Sequence, residues 1–233
     1  METLEQRKTV RHQNGQQGVQ RVPGYYGKLP QRGDFISSGL ESGFVRSWDN
    51  WISEGIDYSK QALGDQWLQR YLHAPIWRFY IAKGVLDDNA NTGLWFSSMD
   101  KVGRYFPFTF CCSIEEAPDN WIEHDRVAAF FKRLERIGMV ALDEACGIED
   151  VDDALAETPW PLQGRATQRM STGLLGESTG NPDDINELDK LLLNIVRNDH
   201  PQLTLWWSMQ DDGMYRYKIY DGMPPRESFL DFI

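Results

Sequence analysis

Leu94-Trp95-Phe96-Ser97-Ser98-Met99-Asp100-Lys101-Val102-Gly103-Arg104-Tyr105-Phe106-Pro107-Phe108-Thr109-Phe110 is the stretch that decides the fold. Two aromatic runs flank a short polar segment holding an acid, a glycine and an arginine. Such a pattern reads as strand, sharp reversal, strand. Strands joined by so short a reversal pair antiparallel. The reversal also has the residues for an internal charge pair between Asp100 and Arg104, or for gripping a partner. The expected strands are Leu94 to Ser98 and Tyr105 to Ser113, with Phe106, Phe108 and Phe110 sharing one face.

The neighbouring segments extend this meander. Trp77, Phe79 and Ile81 alternate with Arg78, Tyr80 and Ala82, the period of a strand. Gly24-Tyr25-Tyr26-Gly27 reads as a short strand, followed by a loop from Lys28 to Leu40. Near the end of the chain, Leu203 to Ser208 and Tyr215 to Tyr220 flank Gln210-Asp211-Asp212-Gly213, a hairpin signal. Each hairpin alone would leave apolar faces bare, so one shared sheet is expected.

Helices are expected to cover it. Phe44, Trp48, Trp51, Ile52, Ile56 and Leu63 fall on one face of a helix from Ser42 to Leu63. Gly64-Asp65 stops it and caps a second, with Trp67, Leu68, Tyr71 and Leu72 inward, ended by Ala74-Pro75. Val127, Phe130, Phe131, Leu134, Ile137, Ala141 and Ala145 keep the 3.6 period from about Trp121 to Cys146, with Asp119 as N-cap. A short acidic helix follows, about Glu149 to Glu157. Thr158 to Pro182 reads as a long loop, and Asp183 opens a helix with Ile185, Leu188, Leu191, Leu192 and Ile195 inward. Pro224-Pro225 starts a last short helix with Phe229, Leu230 and Phe232. The fold class is α/β of the α+β type: a single sandwich with a mainly antiparallel sheet of about five to six strands flanked by helices. Residues 1–22, rich in Gln, Arg and Gly, read as a disordered arm, and 23–233 as one domain.

Composition narrows the function. The 233 residues carry a net charge of −11, which disfavours nucleic acid and anionic membrane surfaces as partners. A chain this long buries roughly 70% of its unfolded surface. Nine Trp, nine Tyr and eleven Phe supply bulky filler for that core. Three cysteines make a disulfide framework unexpected, and Cys111 and Cys112 should point to opposite faces of a strand. No run of about 18 apolar residues and no apolar leader is present, so a soluble cytoplasmic protein without membrane insertion is expected.

Reactive constellations are scarce. Gly176-Glu177-Ser178-Thr179-Gly180 fits the pattern of a nucleophile elbow, but Ser178 lacks a convincing strand before it, and Asn181-Pro182 breaks the chain after it. His200 is the only histidine downstream of it. His12, His73, His124 and His200 stand at no metal-ligand spacing, so no metal is expected. Glu149 to Asp153 shares only its charge with a calcium loop. No phosphate-cradling glycine loop is present, and no cofactor is expected. Lys28-Leu29-Pro30-Gln31-Arg32-Gly33-Asp34-Phe35 is more telling, with three charges, a proline and a glycine in eight residues. Arg32 with Asp34, and Asp100 with Arg104, either shape their loops only or frame a recognition surface. Trp95 beside Arg104 would suit the second role, since Trp and Arg dominate interface hot spots. The candidate partner-binding residues are therefore Lys28, Arg32, Asp34, Trp95, Asp100 and Arg104, with no catalytic residue.

Several ordered blocks resemble the TagF family of type VI secretion-associated accessory proteins. They are Gly24 to Pro30, Arg32-Gly33-Asp34-Phe35, Trp48-Asp49 with Trp51, Ala74 to Phe79, and Ser98 to Pro107. Leu205-Trp206-Trp207-Ser208 and Asp221-Gly222-Met223-Pro224 look like the family's C-terminal signature. The resemblance implies a non-enzymatic cytoplasmic repressor that binds a forkhead-associated scaffold protein of the secretion apparatus and acts post-translationally. It brings no catalytic residues. Some relatives carry a fused serine/threonine phosphatase, for which this chain shows no counterpart. The alternatives are a serine hydrolase using Ser178 and a structural accessory subunit of the apparatus.

Overall fold

The alternating aromatic runs all enter one sheet. A computed structural model of the chain describes residues 21–115, 125–162, 200–209 and 215–233. Its strands are β1 (Gly24–Gly27), β2 (Ile36–Ser38), β3 (Trp77–Ile81), β4 (Ala90–Phe96), β5 (Phe108–Ile114), β6 (Leu203–Met209) and β7 (Tyr215–Asp221). They lie in the order β2-β1-β5-β4-β3-β6-β7, and every pair is antiparallel. The class is as expected, an α+β sandwich around an antiparallel sheet, with seven strands in place of five to six. The added strand is β2, whose three residues lie in the segment read as a loop. Its Ser37 and Ser38 offer no apolar pattern, and only pairing with Tyr25 and Tyr26 of β1 makes it a strand.

Helices cover both faces. On one side α1 (Ser42–Leu63) and α2 (Trp67–Leu72), joined by a 3-10 turn over Gly64–Gln66, cover the sheet together with a 3-10 segment, Arg226–Asp231. Phe44, Trp48, Trp51, Ile52 and Ile56 of α1 pack there on Trp77, Phe79, Ile81, Trp95 and Trp206, with Phe229 and Phe232 filling the end. On the other side α3 (Asp125–Ala141) and α4 (Ile148–Ala156) bring Val127, Phe130, Phe131, Leu134, Val151 and Leu155 onto Tyr80, Leu94, Phe96, Phe108, Phe110 and Trp207. Cys111 joins the first layer and Cys112 the second, as alternation requires.

Most large rings also place their polar edge. The Trp48 indole donates to Thr109 Oγ1 at 2.9 Å, and Trp67 to Ser59 Oγ at 2.8 Å. Trp51 and Trp77 donate to the carbonyls of Pro224 and Phe232, both at 2.8 Å. The segment after β7 is therefore stitched to α1 and β3 by hydrogen bonds as well as by rings.

The structure corrects several local readings. Phe106 sits in the α1 layer, opposite Phe108 and Phe110. Pro107 interrupts the ladder before β5 begins, so the period-2 count does not carry across it. Leu68 and Leu72 are exposed, and only Trp67 and Tyr71 of α2 are buried. Arg21, assigned to the arm, is anchored: its carbonyl accepts from Trp160 N at 2.8 Å, and its guanidinium donates to the Ser113 carbonyl at 3.1 Å. The N-cap Asp119, most of the loop from Thr158, the helix opened by Asp183, and the turn at 210–213 lie outside the described residues.

Candidate partner-docking site

Two loops at the β1–β5 end of the sheet are bound into one body. The first joins β1 to β2 and the second joins β4 to β5. Asp100 is the joint. Its Oδ2 accepts from Lys28 Nζ at 3.0 Å and from Arg104 Nε at 2.6 Å. Its Oδ1 accepts the N–H of Val102 at 3.1 Å and of Arg104 at 2.8 Å. Asp100 N–H donates to the Arg104 carbonyl and Gly103 N–H to the Asp100 carbonyl, closing a tight reversal. Gly103 has φ of 83°, the left-handed region that a side chain would strain. Burial pushes the Asp100 carboxyl up. The Arg104 N–H, the Lys28 ammonium and the Arg104 guanidinium outweigh it and hold the group well below the usual carboxylate range.

The loops then lock to each other and to the core. Lys101 N–H donates to the Arg32 carbonyl at 2.8 Å, and Arg104 Nη2 donates to the Gly33 carbonyl. Arg104 also lies 3.7 Å from Asp34. Ser98 Oγ donates to the Lys28 carbonyl at 2.6 Å, while Tyr71 of α2 donates to the Ser98 carbonyl at 2.9 Å. Gln31 Nε2 donates to the carbonyls of Ala141 and Cys146, tying the first loop to the end of α3. Phe35 caps the assembly, stacked on Tyr26 at 5.5 Å, edge-on to Phe106 at 4.7 Å and 4.8 Å from Lys28 Nζ.

The expected site residues separate into supports and surface. Lys28 and Asp100 are buried and hold the loops from below. Asp34 and Arg104 are exposed and pair with each other, not Asp34 with Arg32. Arg32 is exposed and lends its carbonyl, not its charge, to the joint. Trp95 is removed from the surface altogether: it is wholly buried and stacks on Phe229 at 5.7 Å in the α1 layer. The expectation of an exposed Trp95 beside Arg104 fails because β4 is covered on both faces. In its place the loops expose Phe35 at 45%, Met99 at 38% and Val102 at 70%. The sequence signal for these was present: apolar residues set inside two otherwise polar turns.

The family model for the TagF N-terminal domain, type VI secretion system-associated, matches residues 24–158, a span that contains both loops. The chain belongs to the TagF family. It is also similar to the solved structure of PA0076 from Pseudomonas aeruginosa PAO1, with 33% sequence identity and a TM-score of 0.73. The match covers 90% of this chain and 93% of that one. No curated protein matches the sequence.

The rest of this TagF chain offers little reactive chemistry among the described residues. No three of His, Cys, Asp or Glu gather there as metal ligands. No helix there is long and apolar enough to cross a membrane. Burial pushes the Cys112 thiol up to about 12 and holds that of Cys111 well above the ordinary thiol range, so neither is a thiolate at neutral pH. His200 Nδ1 lies 3.4 Å from Asp221 Oδ2 at the surface, and Ser178 lies outside the described residues.

Proposed function

We propose that this TagF-family protein is a non-enzymatic repressor of type VI secretion that acts post-translationally by docking on a forkhead-associated scaffold protein. The reading places it in the cytoplasm. The docking face is the fused loop pair. The observation that carries the reading is the buried Lys28–Asp100 pair, braced by Arg104, beneath an exposed mixture of Phe35, Met99 and Val102 with Arg32, Lys101 and Arg104. Two loops held this firmly lose little freedom on binding, which favours affinity. Apolar centres edged by arginines are the composition of interface hot spots. Occupying the scaffold there would hold back its other contacts, which is repression by occlusion.

Arg104 is a poor probe of this face, because it braces the turn through Asp100 and Gly33. The double variant Arg32→Glu, Val102→Asp changes exposed side chains that carry no support. It should weaken capture of the purified scaffold by at least about tenfold, the loss of one charge-assisted contact, with an unchanged circular-dichroism spectrum. Full-strength capture by the folded double variant would overturn the docking face. Ser178→Ala should leave both scaffold capture and repression of secretion unchanged; loss of repression by that variant would favour a hydrolase.

A further inference from the structure

We propose that the outer edge of β7 binds an extended segment of a partner protein in which acidic and apolar residues alternate, adding a strand to the sheet. β7 is the last strand in the order β2-β1-β5-β4-β3-β6-β7, so among the described residues only β6 pairs with it. Its seven residues run without proline, glycine or a break in register against β6. The opposite edge, β2, has three. A long, regular edge strand is a template for another chain.

The phase of the ladder fixes what that edge offers. Ala82 N–H donates to the Leu203 carbonyl at 3.0 Å, so Leu203 turns toward β3. Just beyond β7, Gly222 N–H donates to the Gln202 carbonyl at 2.8 Å. Bonded pairs recur at every second residue of an antiparallel ladder. Arg216, Lys218 and Tyr220 therefore bond to β6, while Tyr215, Ile219 and Asp221 turn their N–H and C=O groups outward, with Tyr217 in phase with them. Main-chain groups presented this way supply affinity to an added strand, and its alternate side chains supply specificity.

The side chains of β7 define the segment that fits. Tyr215, Tyr217 and Ile219 are exposed on the face that carries Trp207 and Leu205. An added strand would lay apolar side chains beside them. Arg216 and Lys218 point to the other face, where Lys218 reaches over the rings of Trp77 and Phe232. Lys218 already lies 3.6 Å from Asp231. Arg216 is exposed and makes no ion pair among the described residues, so it is the cation that calls for an acid opposite. In the antiparallel register of full overlap, a second copy would set Lys218 against Lys218, which disfavours self-pairing. The edge lies across the sheet from the loop pair and does not depend on the docking proposal.

The test is titration of the ¹⁵N-labelled full chain, at constant ionic strength, with a capped peptide the length of β7 that alternates valine and glutamate, and with its valine–lysine counterpart. The glutamate peptide should saturate and slow hydrogen exchange at the amides of Tyr215, Ile219 and Asp221. It should leave exchange at Arg216, Lys218 and Tyr220 as it was. The lysine peptide should bind at least about tenfold more weakly, the worth of one charged pair. Arg216→Glu alters an exposed side chain and should reverse the preference between the two peptides. Ile219→Pro removes an outward donor without touching the ladder to β6, and should also weaken the glutamate peptide by about tenfold. No saturation by the glutamate peptide, equal binding of the two peptides, or an Arg216→Glu variant that titrates as wild type would overturn the proposal. So would protection of the same outward amides that rises with protein concentration alone, which would give the edge to a second copy.

Discussion

At the scale of single residues, Asp100 bears more than either of its cations. Its carboxylate takes four donors, two of them charged, whereas Lys28 forms its one ion pair among the described residues with Asp100. Asp100→Ala strands a buried ammonium and two turn N–H groups, and should destabilise the fold by about 3–5 kcal/mol. Lys28→Met leaves Asp100 with Arg104 and both N–H groups, and should cost about 1–2 kcal/mol. Urea unfolding measures both, and equal losses would contradict the asymmetry. The pH dependence has a definite sign. The folded Asp100 carboxyl sits below its ordinary 3.8, so its contribution is complete above that value and is lost as the pH falls further. The stability gap between wild type and Asp100→Asn should stay constant from neutrality to roughly pH 5 and shrink below it. The Asp100–Arg104 pair was legible in the sequence, because the two lie four apart across an evident turn. Lys28 as its partner was not, since 72 residues separate them and only the β1–β5 pairing brings them together.

At the scale of elements, one helix responds oppositely at two of its glycines. A Cβ on Gly55 of α1 would stand 2.3 Å from Phe229 Cδ2, and Phe229 is itself buried between Trp51 and Trp95. Gly55→Ala should therefore cost about 1–3 kcal/mol as the 3-10 segment is pushed off. A Cβ on Gly43 meets nothing within 4 Å, so Gly43→Ala should add about 0.5 kcal/mol by stiffening the unfolded chain. Thermal unfolding of the two variants reads the contrast directly; destabilisation at both positions would refute it. Elements with a long apolar period were legible: α1 spans the expected Ser42 to Leu63, and five of its six expected inward residues are buried. What escaped were features fixed by a partner and not by period. β2 exists through β1, Phe106 changes face through Pro107, and Trp95, expected at a recognition surface beside Arg104, is buried because α1 and the 226–231 segment close over its face of β4. Leu68 and Leu72 mislead for the converse reason, being apolar positions on a six-residue helix with only one covered side.

At the scale of the whole molecule, charge is distributed against its own average. Arg32, Lys101 and Arg104 crowd the exposed loop pair with Asp34 as the acid among them, while the chain carries 35 acidic against 24 basic side chains. A local positive face on an acidic body orients an approaching partner before contact, so its effect falls mainly on the association rate and is screened by salt. On the docking proposal, association with the forkhead-associated scaffold should slow as sodium chloride rises from 50 to 500 mM, by about tenfold or more, with dissociation changing far less. Arg32→Glu alone should lower the association rate at low salt and flatten its salt dependence. Val102→Asp should act chiefly by accelerating dissociation, because Val102 is the most exposed apolar side chain of the face and would be desolvated in the complex. Surface plasmon resonance separates these rates. A wild-type association rate indifferent to salt, or a Val102→Asp variant that dissociates as slowly as wild type, would place the scaffold contact elsewhere on the molecule.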